Sequence, residues 1–260
     1  MNRRHALSVA LVAAALVAWQ GAVDGGWLRA IRFPPPLKLV ASAWNLTVEG
    51  FPQGTLLATH VGVTCLRILA GFALALVLAV PLGLLIGARP LLDRATAPLV
   101  AFCRSVATLS LLPLAVVWFG TGEESKVFLI GYGCFWVILA SAIDAIKRVD
   151  PVLIAAARTM DTPPRVLFFK VVLPATLPRL ASGARVALGV GFMVIVGAEM
   201  IGTVTGLGAL IMEARNFYRS DITVVGMVVI GTLGFLLGAG LERAEAWLLP
   251  WQARQRERGT

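Results

Sequence analysis

Apolar residues along the chain gather in six long runs, roughly 6 to 23, 62 to 88, 96 to 119, 127 to 146, 183 to 205 and 223 to 249. Each is close to the ~20 residues that an α-helix needs to cross a bilayer. The pattern predicts six crossings joined by polar connections. The stretch from 24 to about 60 differs from the rest. It carries "FPPP" at 33 to 36, a stiff extended turn. The following "LKLVASAWNLTVEGF" has spaced apolar residues and reads as an amphipathic helix lying along the membrane surface. Gly83/Gly87 and Gly234/Gly238 stand four apart inside apolar runs, a spacing that lets helices approach closely.

Composition agrees with this pattern. Only 14% of the residues are charged and 58% are hydrophobic, with a mean hydropathy of +0.84; a soluble domain has about 25% charged residues. A chain of 260 residues is expected to form one domain. The net charge of +9 gives orientation. With the N-terminus inside and six crossings, 13 Lys and Arg fall on inside segments, Arg254, Arg256 and Arg258 among them, against 6 outside. That places both termini in the cytoplasm. The layout is then an N-terminal helix over 1–27, an external segment over 28–61, core helices over 62–249 with a cytoplasmic loop at 148–180, and a cytoplasmic tail over 250–260. The start, "MNRRHALSVALVAAALVAW", also has the form of a secretory signal. Trp19 and Gln20 interrupt any small-residue cleavage site, so a retained helix is expected.

Several chemistries are not expected. Cys65, Cys103 and Cys134 lie in apolar runs without metal spacing, and His5 and His60 are isolated, so neither a metal site nor a catalytic cluster is expected. No basic stretch is interleaved with aromatics, so nucleic acid is not an expected partner. There is no GxxxxGK[ST] phosphate loop. The chain is therefore not expected to act as an enzyme or to carry a cofactor.

One polar cassette, "AAARTMDTPPRVLFFKVVLP" at 155 to 174, stands between two apolar runs. Asp150-Pro151 predicts a helix start, since Asp caps and Pro suits the first helical position. That helix runs to about Met160. Thr162-Pro163 repeats the signal, so a second helix is predicted from there to Val172, ending before Pro174. Between them Asp161 takes a sharp turn of the kind that needs positive φ. Ala155, Arg158, Thr159 and Thr162 share a face. Ala155, Ala156 and Ala157 give the helix a slim waist, suited to docking in another protein's groove.

The cassette resembles the cytoplasmic loop of permeases from bacterial binding-protein-dependent ABC importers. That loop reads E-A-A, three residues, G, nine residues, then an apolar residue, any residue and L-P. Ala156 and Ala157 match the alanines, Val171 the apolar position, and Leu173-Pro174 the L-P. Ala155 stands where the family has Glu, and Asp161 where it has Gly; Arg158 is a candidate for part of the missing Glu's polar role. "LRILAGFALALVLAVPLGLLIG", "LLPLAVVWFGTGEESKVFLI", "AEMIG" and "ARNFYRSD" with "VVGMVVIG" resemble the sulfonate, nitrate, taurine and bicarbonate branch. The resemblance implies an all-α, polytopic helix bundle of the type I importer permease kind in the bacterial inner membrane. It implies two ATPase subunits that bind ATP and Mg, a second copy of this chain, an external solute-binding protein, and surrounding lipid. The ATPase-coupling residues would be Ala155, Ala156, Ala157, Arg158, Asp161, Leu173 and Pro174. The solute would be a small anion of the sulfonate, taurine, nitrate or bicarbonate class. A heterocyclic vitamin precursor, or a secondary transporter in place of an ATP-driven one, is the alternative.

Three ionisable residues inside apolar runs are candidates for the translocation path or its gate. Glu199 lies 16 residues beyond Gly183, about 24 Å along a helix at ~1.5 Å per residue, hence in the outer half. Arg67 is at comparable depth, and pairing of the two near an outer gate is expected. Arg104 enters from the cytoplasmic side and is expected deeper inward.

Overall fold

A computed structural model describes residues 3–29, 31–52, 54–248 and 250. Arg254, Arg256 and Arg258, which contributed to the orientation argument, lie outside the described residues, as does most of the expected tail. Every regular element among the described residues is helical. The long elements are α1 (Arg3–Asp24), α2 (Pro36–Val48), α3 (Leu57–Gly87), α4 (Pro90–Ser105), α5 (Leu112–Phe119) and α6 (Glu123–Lys147). They are followed by α7 (Pro151–Thr159), α8 (Pro164–Leu167), α9 (Leu173–Glu199), α10 (Leu207–Asn216) and α11 (Ser220–Leu248). A 3₁₀ turn (Thr108–Leu111) precedes α5, and a π turn (Phe168–Val172) joins α8 to α9.

Four helices among the described residues are long and apolar enough to cross a bilayer: α3, α6, the continuous run Pro164–Glu199, and α11. A fifth crossing exists if α4 and Thr108–Phe119 are one span bent by 82°. These match five of the six runs read from hydropathy, and the correction concerns the shape of the third. The first apolar run does form α1, but part of its side chains lie outside the described residues. The third run is not straight. Val106 and Ala107 are extended, and α4 ends on a bond from Val106 N–H to Cys103 O. The Tyr132 hydroxyl, 3.3 Å away, also donates to that carbonyl. In lipid such a break survives where the freed backbone groups are met by protein. Hydropathy counts apolar residues and is blind to the break.

The chain forms two compact units. In the unit made of Cys65–Ala198 and Gly234–Thr260, the core is built from Ile68, Ala75 and Ala79 of α3, Leu129, Ile130, Ile138 and Leu139 of α6, and Ala187, Leu188 and Ile195 of α9. Small residues set the helix spacing. A Cβ on Gly83 would lie 2.5 Å from the Ala142 Cβ, so only glycine allows this approach of α3 to α6. Gly87 meets Ile143 of the same helix, and the expected packing role of the Gly83/Gly87 pair holds. Gly234/Gly238 does not behave alike: Gly238 has nothing within 4 Å. In the other unit, Met1–Thr64 with Glu199–Leu233, the core is Leu46 of α2, Leu207, Leu210 and Ala214 of α10, and Ile222 and Val225 of α11. The helix read from "LKLVASAWNLTVEGF" is α2. Leu46 and Ser42 are buried on one side, while Leu37, Val40, Trp44 and Val48 stay exposed on another.

Candidate functional site: an exposed helical cassette and a buried carboxylate

The cassette forms largely as its capping chemistry dictates. The Asp150 carboxylate accepts from the Val152 N–H at 2.8 Å, and Pro151 occupies the first helical position of α7. After Thr159 the chain turns: Asp161 has φ +49°, Asp161 N–H donates to Arg158 O at 3.1 Å, and Thr162 N–H donates to Ala157 O at 3.3 Å. Pro163 and Pro164 then start α8. Ala155, Ala156, Arg158, Thr159 and Asp161 are exposed, and Ala157 and Thr162 are half-buried. Arg158 has no ion-pair partner among the described residues. The root of the cassette is held. Phe168, Leu173 and Leu177 pack against the cluster of Leu84, Ala142, Ala145 and Leu180.

One expectation is corrected. The second helix does not stop before Pro174; it passes through. Proline lacks an N–H and its ring crowds the carbonyl four residues back. The π turn removes the conflict by widening the helix at that point, with Leu173 N–H bonded to Phe168 O, five residues back. Leu173 and Pro174, both half-buried, thereby open a helix that runs to Glu199.

Glu199 is 1% exposed. Its carboxylate accepts from the Thr64 hydroxyl at 2.9 and 3.0 Å and from the Gly208 N–H at 2.9 Å, in the first turn of α10. Thr64 in turn accepts from Leu207 N–H at 2.9 Å, and the Thr203 hydroxyl bonds the Glu199 carbonyl. His60, also buried, has Nε2 2.9 Å from Phe51 O and accepts at Nδ1 from Gly206 N–H at 3.1 Å in the tautomer with hydrogen on Nε2. Gly206 has φ +127°, and a Cβ there would fall 2.5 Å from the Glu199 carboxylate. The carboxylate thus ties the α9–α10 connection to α3. A negative charge at the N-terminus of α10 is also favoured by the helix dipole.

Arg67 belongs to the other unit and is 3% exposed. Its Nε and Nη2 each bond Glu123 at 2.5 Å, a two-pronged pair that lowers the Glu123 side chain's freedom at the start of α6. Glu123 was not singled out from the sequence; the two acids that open α6 after Gly122 were the available signal. Arg104, in the last turn of α4, is exposed. It lines a cleft of about 280 Å³ with Asp93, Asp144 and Lys147, in which Lys147 and Asp93 pair at 2.7 Å. A further triad escaped sequence reading: buried Asp221 accepts from Ser42 at 2.7 Å and from Arg219 at 2.9 Å. The Asp221 carboxylate pushes the Arg219 guanidinium above its ordinary value, so it stays cationic.

Long apolar helices, a carboxylate buried at a helix start and an exposed helix–turn–helix define a polytopic membrane protein. The chain belongs to the family of binding-protein-dependent transport system inner membrane components, whose pattern matches residues 79–252. The taurine transport system permease protein TauC of Escherichia coli is 33% identical over 254 residues, covering 96% of this chain and 91% of that one. The putative aliphatic sulfonates transport permease protein SsuC of Bacillus subtilis is 30% identical over 242 residues, covering 93% and 86%. Among solved structures, an inward-facing form of the MetNI methionine ABC transporter matches with a TM-score of 0.62 over 73% of this chain and 94% of that one, at 24% identity. That likeness establishes the fold.

Proposed function

We propose that this chain forms half of the translocation path of an ATP-driven importer for a small sulfonate, the taurine or alkylsulfonate class. Membership in the family and the names of its relatives support that reading. The single observation that carries the mechanism is the exposed cassette, anchored at its root and open at its tip. Two ATPase subunits would receive the tips of α7 in two copies of the chain, with Ala155, Ala156 and Ala157 admitting close approach and Arg158 supplying a charge. ATP-driven closure of those subunits would move both cassettes and switch the path between inward-facing and outward-facing states by rigid-body rotation. An external binding protein would deliver the solute, and the cassette would face the cytoplasm, with both termini on that side.

Reconstitution tests this. The chain, its ATPase and its binding protein in proteoliposomes should take up radiolabelled taurine only with ATP; uptake driven by an ion gradient alone would sink the proposal in favour of secondary transport. In intact cells, a thiol introduced at exposed Thr121 should react with an impermeant reagent and one at exposed Thr159 should not. The pairing of Arg67 with Glu199, expected from the sequence, is part of the proposal. Alanine at either position should impair uptake, and the double replacement should cost less than the two losses added, because each replacement removes the same interaction. Strictly additive losses would remove the pair.

A further inference from the structure

A cleft in the unit of Met1–Thr64 and Glu199–Leu233 holds about 830 Å³. Its polar wall is Arg32, Arg215, Asn216, Ser220 and Thr223; its apolar wall includes Met200, Met212 and Met227. Among the described residues, no Asp or Glu lines it. Neither Arg32 nor Arg215 has a carboxylate partner among the described residues, whereas Arg219, two residues from a buried acid, is fully engaged by Asp221. Two arginines are thus left open above the same space. Their placement is built. The Ser220 hydroxyl, 2.5 Å away, donates to Ile31 O, fastening the backbone beside Arg32 to the start of α11. Arg215 sits in the last turn of α10.

A second feature marks the rim. Tyr218, also in the cleft wall, has φ +54° and is 87% exposed. A bulky residue with positive φ is uncommon and strained. Gly or Asn would satisfy this helix end without strain, with Arg219 N–H bonded to Ala214 O at 2.8 Å. The turn places an aromatic ring in the wall of a basic cleft.

We propose that this cleft is a binding site for a small organic anion: a sulfonate or carboxylate head between the Arg32 and Arg215 guanidiniums, and a short hydrocarbon body on the three methionines. Arginine's planar fork suits a three-oxygen or two-oxygen head. Methionine's flexible thioether adapts to alkyl chains of differing length. The site deepens the importer reading and rests on its substrate class. It would hold the solute on the permease itself, after the binding protein releases it.

The test is equilibrium binding of radiolabelled ethanesulfonate to the full chain in lipid nanodiscs, without ATPase or binding protein. Saturable binding competed by taurine is expected. Arg32→Gln and Arg215→Gln should each weaken it by about tenfold or more, the scale of one charge-assisted hydrogen bond. Thr223→Glu should abolish it by repulsion. Arg32 and Arg215 are exposed, so their variants should melt as the parent does; Arg215→Lys should keep part of the binding. Absence of saturable binding, or undiminished binding in the Arg32→Gln, Arg215→Gln double variant, overturns the site. If taurine uptake proceeds in proteoliposomes while the chain alone binds no ethanesulfonate, the cleft is wrong and the importer stands. If binding follows the arginines but no sulfonate is taken up, the cleft stands and the substrate reading falls.

Discussion

The cassette and the Glu199 knot are opposite solutions to holding polar groups in an apolar protein. Around Glu199 every donor is spent inward: the Thr64 hydroxyl, the Gly208 N–H and the Gly206 N–H all end on buried side chains. On α7 the side chains that matter are open, and Arg158 has no ion-pair partner among the described residues. Removing a partner from the first region leaves buried groups unsatisfied, which costs about 1–3 kcal/mol each. Removing one from the second leaves water to take its place, and the loss appears only when a partner docks.

Gly206→Val should break the contrast most strongly. Positive φ and a 2.5 Å approach to the Glu199 carboxylate leave no room for a side chain. The protein should fail to accumulate in the membrane, by immunoblot, whereas Ala156→Val on α7 should accumulate normally. Equal accumulation of the two would mean the knot is not structurally decisive. Asp161→Val comes next. A β-branched residue at φ +49° is strained by about 1–3 kcal/mol, so pull-down of the ATPase should weaken while the melting temperature of the chain hardly moves. A matching fall in melting temperature would erase the distinction between the regions. Asp161→Gly should have the smallest effect, with ATPase capture within about threefold of the parent, since Gly adopts this φ freely.

What could be read from the sequence was what is local. Asp150-Pro151, Asp161 and the paired prolines declare the cassette because capping and positive φ are decided within a few residues. Gly83 and Gly87 declared a close approach for the same reason. The partners of buried charges are not local: Ser42 and Asp221 are 179 positions apart, and Arg67 and Glu123 are 56 apart. Nothing short-range encodes either. The passage of the helix through Pro174 was missed because a proline rule assumes α geometry, and the π turn changes the geometry. The 82° bend after α4 was missed because a hydropathy window averages over the two residues that make it.

Asp161 carries one more consequence. Where the family it resembles has glycine, this chain has a residue with a Cβ. Glycine samples left-handed and right-handed backbone almost equally, while Asp explores far fewer shapes. A turn held by Asp therefore loses less conformational entropy when it is immobilised, by an amount on the order of 0.5 kcal/mol. Less ordering is left for the moment of docking. The cassette should meet its ATPase already shaped, trading suppleness in the free permease for a smaller entropic penalty in the assembled one.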